Sequence, residues 1–102
     1  MPSQAWPFPD PPNAATITTR KIMSGEHAID YVAHDESDGG WQFLNQSAGA
    51  WSPNEAMLVS LGQVVSMDSS LNEIGDLPLG WHASRKGKSH RWTRTKSDQE
   101  NR

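Results

Sequence analysis

Between Tyr31 and Leu44 the chain reads YVAHDESDGGWQFL. Asp35, Glu36 and Asp38 crowd together there, with His34 before them and Gly39 and Gly40 after. Acids so close to an imidazole suggest three chemistries. A calcium loop needs oxygen ligands at fixed offsets and a closing bidentate acid. Counted from Asp35, neither Ser37 nor Gly39 fits that pattern, and the closing position falls on Gln46. A transition-metal centre needs several His or carboxylate ligands that converge. His34 and Asp35 are neighbours on a strand-like run and point to opposite faces. His27, His34, His82 and His90 show no ligand spacing on any element. A carboxylate pair for glycoside chemistry needs a partly desolvated cleft that drives the two pKa values apart, whereas a glycine-rich hairpin tip is usually wet. The plainest reading is a turn made by Asp38, Gly39 and Gly40, residues that tolerate positive φ, with Asp35 and Glu36 keeping it solvated. The stretch therefore yields no catalytic residue and no metal ligand. Its acids, Asp35, Glu36 and Asp38, stand as a candidate contact for a protein partner.

A second group is basic. RKGKSHRWTRTK interleaves Arg85, Lys86, Lys88, Arg91 and Arg94 with Trp92. Such cations can follow a phosphate backbone while the indole stacks on a base. Two features oppose this: Trp92 has the strand periodicity of a core residue, and the remaining chain is acidic and repels a polyanion. Residues 1–80 hold ten acids and two bases, a charge of −8; residues 81–102 hold seven bases and two acids, +5; the total is −3. The two halves can pair internally or leave a basic surface for an acidic partner. Weak nucleic-acid binding is thus the alternative to protein binding. Glycine-rich phosphate loops and nucleophile elbows are absent, since SDGG and SAGA lack the strand-to-helix setting.

The elements that must position these groups have their own signals. AATITTRKI (14–22) is rich in β-branched residues and predicts a strand. HAIDYVAH alternates Ile29, Tyr31 and Ala33 against Asp30, Val32 and His34, as a half-buried strand does. GWQFLN places Trp41 and Phe43 on one face and Gln42 and Leu44 on the other. Short connections between the three predict an antiparallel meander. SPNEAMLVSLGQVVSMD predicts the main helix over 53–67, with Ser52 and Glu55 as a capping box and Pro53 at the first helical position. Met57, Leu58, Leu61, Val64 and Val65 give it an apolar stripe, with Gly62 opposite. Trp51 is placed to staple the helix start. A short helix follows over 70–74, with Ser70 and Glu73 at capping spacing, Leu71 and Ile74 on one face and Gly75 as the stop. WHASRKGKSHRWTRT reads as a hairpin turning at Gly87, with Trp81 and Ala83 on one face.

The expected fold is α+β: an antiparallel sheet of about five strands packed on one main helix and one short helix. It occupies 14–94, between a Pro-rich extended segment (1–13) and a disordered polar tail (95–102). Trp6 and Phe8 in WPFPDPP are expected to pack back on the domain. Trp41, Trp81 and Trp92 are expected in the core. The chain has 102 residues, 34% of them hydrophobic, enough for one modest core. It contains no cysteine, which suits a reducing cytoplasm. No apolar run reaches membrane-spanning length, and the N-terminus has no secretory-signal pattern. No residue pattern implies a cofactor.

ITTRKIMSGEHAIDYVAHDESDGGWQFL followed by LVSLGQVVSMDSSLNEIGDLPLGWHASR resembles a small bacterial family of unknown function with an HDxxDGxWQFL…DLPxGW layout. That family is similar in turn to immunity-protein domains of polymorphic toxin systems. The resemblance covers about 15–85 and rests on Asp38, Gly40, Trp41, Phe43, Leu79, Gly80 and Trp81. These are fold-forming positions, and no catalytic residue transfers with them. The resemblance implies a non-enzymatic protein that binds another protein.

Overall fold

A computed structural model describes residues 6–47 and 53–97. Among the described residues six strands form one sheet: β1 (Ala15–Thr19), β2 (Tyr31–His34), β3 (Trp41–Leu44), β4 (Ala56–Ser60), β5 (Trp81–Ser84) and β6 (Thr93–Lys96). Their spatial order is β4-β1-β3-β2-β5-β6. The main helix is α2 (Leu61–Met67), preceded by a single helical turn, α1 (Arg20–Met23). Short 3-10 turns span Pro53–Glu55 and Ser69–Ile74. The α+β architecture is as expected, with one strand more than about five.

β2 and β3 form the expected hairpin, with Val32 opposite Phe43 and His34 opposite Trp41. Their inward residues are Val32, His34, Trp41 and Phe43, all buried. The three-strand meander does not form. β1 pairs with β3 in parallel, Ile17 beside Gln42, and antiparallel with β4. The reason lies in the β1–β2 connection. The Thr19 side chain caps Ile22 N–H at 3.2 Å, so the predicted 14–22 strand stops at Thr19 and becomes a helical turn. The long link from there to Tyr31 is no hairpin, and β3 takes the place beside β1.

The predicted 53–67 helix splits. Ala56–Ser60 is a strand, and the helix begins only at Leu61. Ser60 caps Gln63 N–H, and the Gln63 side chain accepts from Ser60 N–H, a complete capping box. Upstream of it the side chains alternate: Val59 is buried and Leu58 is 73% exposed. That is strand periodicity, which a helical stripe over Met57 and Leu58 had masked. The predicted capping by Ser52 and staple by Trp51 lie outside the described residues. Asp68 caps the following 3-10 turn in place of Ser70. The chain does not become disordered at residue 95, where the tail was expected to begin. Thr95 and Lys96 belong to β6, and Ser97 N–H donates to Gly80 O at 2.7 Å.

The core lies between the inner sheet face and the layer of α2 with the Ser69–Ile74 turn, where Leu61, Val64, Leu71 and Ile74 meet Val32, Phe43 and Ala83. The Pro-rich segment completes it. Phe8 is buried edge-on against Trp41, with ring centroids 5.0 Å apart. Asp10 accepts from Trp41 Nε1 at 2.9 Å, and Pro12 O accepts from Gly62 N–H at 2.8 Å. Pro7 passes so close to Gly75 that a Cβ there would sit 2.8 Å from its carbonyl oxygen. Trp6 stays at the rim, 36% exposed. Replacing Phe8 by Ala should cost about 3 kcal/mol, the usual loss for a buried phenyl ring. Urea unfolding checks this, and an unchanged midpoint would place the segment outside the cooperative unit.

Candidate functional site

The acidic turn is built from its own carboxylates. Asp35 N–H donates to Gly40 O at 2.8 Å, and Gly39 N–H to Asp35 O at 2.9 Å. Asp35 Oδ1 accepts from both the amide and the hydroxyl of Ser37, each at 2.8 Å. Those bonds, the amide's first, hold the Asp35 carboxyl below its ordinary pKa. Asp38 Oδ1 accepts from Gly40 N–H at 2.8 Å, and Gly39 supplies the left-handed conformation at φ 74°. Glu36 and Asp38 are exposed and Asp35 is half-buried. The three predicted residues therefore share one ordered tip, and two of them also shape it.

Beneath the tip, His34 is buried and stacks on Trp41 with centroids 3.9 Å apart. Its Nδ1 lies 2.8 Å from Leu77 O. A carbonyl only accepts, so Nδ1 carries the proton in this contact. Gly80 N–H donates to His34 O at 2.8 Å, which fastens the DLPLG segment beside the tip. An open cleft of about 260 Å³ lies there, lined by His34, Asp35, Glu36, Gln42, Gly80 and Ser97. Among the described residues, no group of three or more His, Asp or Glu side chains could hold a metal ion.

The predicted basic set does not stay together. Arg85 is removed from any phosphate contact, because its side chain is only 1% exposed. It pairs with Asp68 Oδ2 at 2.7 Å and donates to Ile29 O at 3.0 and 2.8 Å, Ser70 Oγ at 2.8 Å and Lys88 O at 2.9 Å. Its guanidinium carbon lies 4.1 Å from the Trp92 ring centroid, so one face of that partly buried indole is taken up by Arg85. Arg94 pairs with Asp76 at 2.6 Å and bonds Glu73 O at 2.6 Å; the Arg94 bond lowers the Asp76 pKa. Lys86, Lys88 and Arg91 remain exposed. The charge asymmetry of the sequence is thus partly neutralised within the fold.

Two further acids, Asp30 and Asp68, are buried without a clear signal in the sequence. Asp30 accepts from Gln46 N–H at 2.7 Å and Ser47 Oγ at 2.6 Å, tying down the chain after β3. Asp68 sat at the predicted helix end, where an acid is ordinarily solvated. Only alternation hinted at Asp30, since it shares a face with Val32.

Burial alone would raise the Asp68 pKa, but bonds from Ser70 and Arg85 outweigh it and hold the carboxyl below its ordinary value. A carboxyl depressed on folding stabilises the protein above the unfolded pKa of about 3.9 and loses that contribution as pH falls through the folded value. Wild-type stability should therefore decline below about pH 4, and less steeply in Asp68→Asn, as equilibrium unfolding at successive pH values would record. Arg85→Met leaves Asp68 buried without its cation and should cost about 3 kcal/mol or more in urea. Arg85→Lys should recover only part of that, because an ammonium lacks the fork and the stacking plane.

Comparison with protein-family models, with curated proteins and with solved structures finds no match to this chain.

Proposed function

We propose that the chain is a non-enzymatic protein-binding module of the bacterial cytoplasm that presents the turn at Asp35, Glu36 and Asp38 to a basic partner. An immunity protein covering the cationic surface of a toxin would work in this way. The observation that carries the reading is the construction of the tip. Main-chain bonds close the turn, Ser37 and Gly40 fix the two aspartates, and the free carboxylate oxygens with Glu36 are left facing solvent. A preorganised acidic surface loses little entropy on docking and speeds encounter with a cationic one. The exposed Lys86, Lys88 and Arg91 are the weaker alternative, a polyanion contact. It has lost Arg85 to the interior and Arg94 to an ion pair.

The turn dictates how this is tested. Lysine at Asp35 or Asp38 would destroy an acceptor, whereas Asn keeps the acceptor and removes the charge. The variant Asp35→Asn, Glu36→Gln, Asp38→Asn should fold like the wild type by circular dichroism. A partner captured by the wild type from the native host should be released as salt rises to about 0.5 M and should not be retained by the neutral variant. Equal retention by both would reject the acidic turn as the contact.

A further inference from the structure

The sheet ends differently at its two edges. β6 is exposed at every position and carries Arg94 and Lys96, charges of the kind that discourage further strand pairing. β4 carries none, and no charged residue occurs from Ala56 to Met67. Its Leu58 is 73% exposed. The backbone alternation shows which main-chain groups face outward. Leu61 N–H donates to Ala14 O at 2.8 Å, and Ile17 lies opposite Leu58. In an antiparallel ladder every second residue bonds across the pair, so Met57 and Val59 turn their amides to β1 while Ala56 and Leu58 turn theirs outward. Ser60 also faces outward, but its N–H is occupied by Gln63 Oε1 at 3.0 Å. Among the described residues no strand pairs with this edge.

We propose that β4 is a dimerisation edge. It pairs antiparallel with β4 of a second copy about a twofold axis at Met57, so that Ala56 exchanges N–H···O=C bonds with Leu58 of the second copy, and Leu58 with its Ala56. This register uses the outward groups of both residues and stops at Ser60, where Gln63 closes the edge. It also places each exposed Leu58 side chain beside the other copy's Ala56, withdrawing apolar surface from water. Charge favours this edge over the other. Joining two β6 strands would set Arg94 and Lys96 against their own copies, whereas two β4 strands bring no like charges together. The contact is short, below the roughly 1,200 Å² of a stable interface, and so makes a weak dimer that forms at micromolar concentrations or higher.

Sedimentation equilibrium of the full chain from about 10 μM to 1 mM should give a mass rising from 11.3 kDa toward twice that value. Leu58→Lys alters an exposed side chain, so the fold should persist by circular dichroism while dimerisation weakens about tenfold or more. The chain has no cysteine, which allows a direct check of register. Opposed residues of a non-hydrogen-bonded antiparallel pair lie about 4.5 Å apart at Cα, within disulfide range. Met57→Cys should therefore cross-link into a dimer on mild oxidation and Lys96→Cys should not. The neutral-turn variant should dimerise like the wild type, which separates this proposal from the partner reading. A wild type that stays monomeric, dimerisation unaffected by Leu58→Lys, or Met57→Cys cross-linking no faster than Lys96→Cys would each overturn it.

Discussion

The Arg85–Asp68 pair is the contact on which most of the architecture depends. Two charges 2.7 Å apart, both nearly excluded from solvent, contribute little net stability against an apolar pair of the same shape, but losing one partner is costly. Here the guanidinium also satisfies main-chain carbonyls at Ile29 and Lys88 and the hydroxyl of Ser70. One side chain thereby joins the approach to β2, the junction between α2 and the 3-10 turn, and the loop between β5 and β6. Arg85 N–H donates to Asp30 O at 3.0 Å, and the Asp30 carboxylate secures the chain after β3. The polar side of the core is thus a connected network, satisfied at each charged group.

At the other end of the sheet the organising group is Trp41. His34 stacks on one part of it and Phe8 meets it edge-on, while Asp10 accepts its indole proton. These contacts give the Pro-rich segment a structural task. The prolines need no ladder donors, but the segment does not run extended as expected: it bends over 8–10 and turns at 12–13, and its free carbonyls serve the domain, as Pro12 O does for Gly62. The acidic turn rises directly from His34 and Trp41, so its position is set by rigid, buried neighbours. That rigidity would spare the proposed recognition surface of three carboxylates much of the ordering cost of docking.

Local signals were legible where one periodicity acted alone. Trp41 and Phe43 against Gln42 and Leu44 gave the inward face of β3, and Asp-Gly-Gly gave the turn. Legibility failed where two patterns overlapped or where pairing was non-local. Met57 and Leu58 fit a helical stripe as well as a strand, and only the need of β1 for a partner, together with the Ser60–Gln63 cap, decides between them. Nothing local reports that β1 lies beside β3. Among the candidate site residues, Asp35, Glu36 and Asp38 were found together because they are adjacent in sequence. Arg85 was misassigned to a basic surface, because its fate depends on Asp68, a residue distant in the chain whose burial leaves no local mark.

The fold therefore sorts the two charged regions by availability. The basic hairpin is anchored to the interior by Arg85 and held at the surface by the Arg94–Asp76 pair, and the acidic turn is presented outward. The most direct test is amide chemical-shift mapping by NMR of the intact chain, titrated first with a lysine-rich peptide and then with a single-stranded oligonucleotide. The account predicts shifts confined to residues 35–40 with the peptide and none at residues 86–91 with the oligonucleotide. Silence at the turn, or shifts at the hairpin, would contradict it.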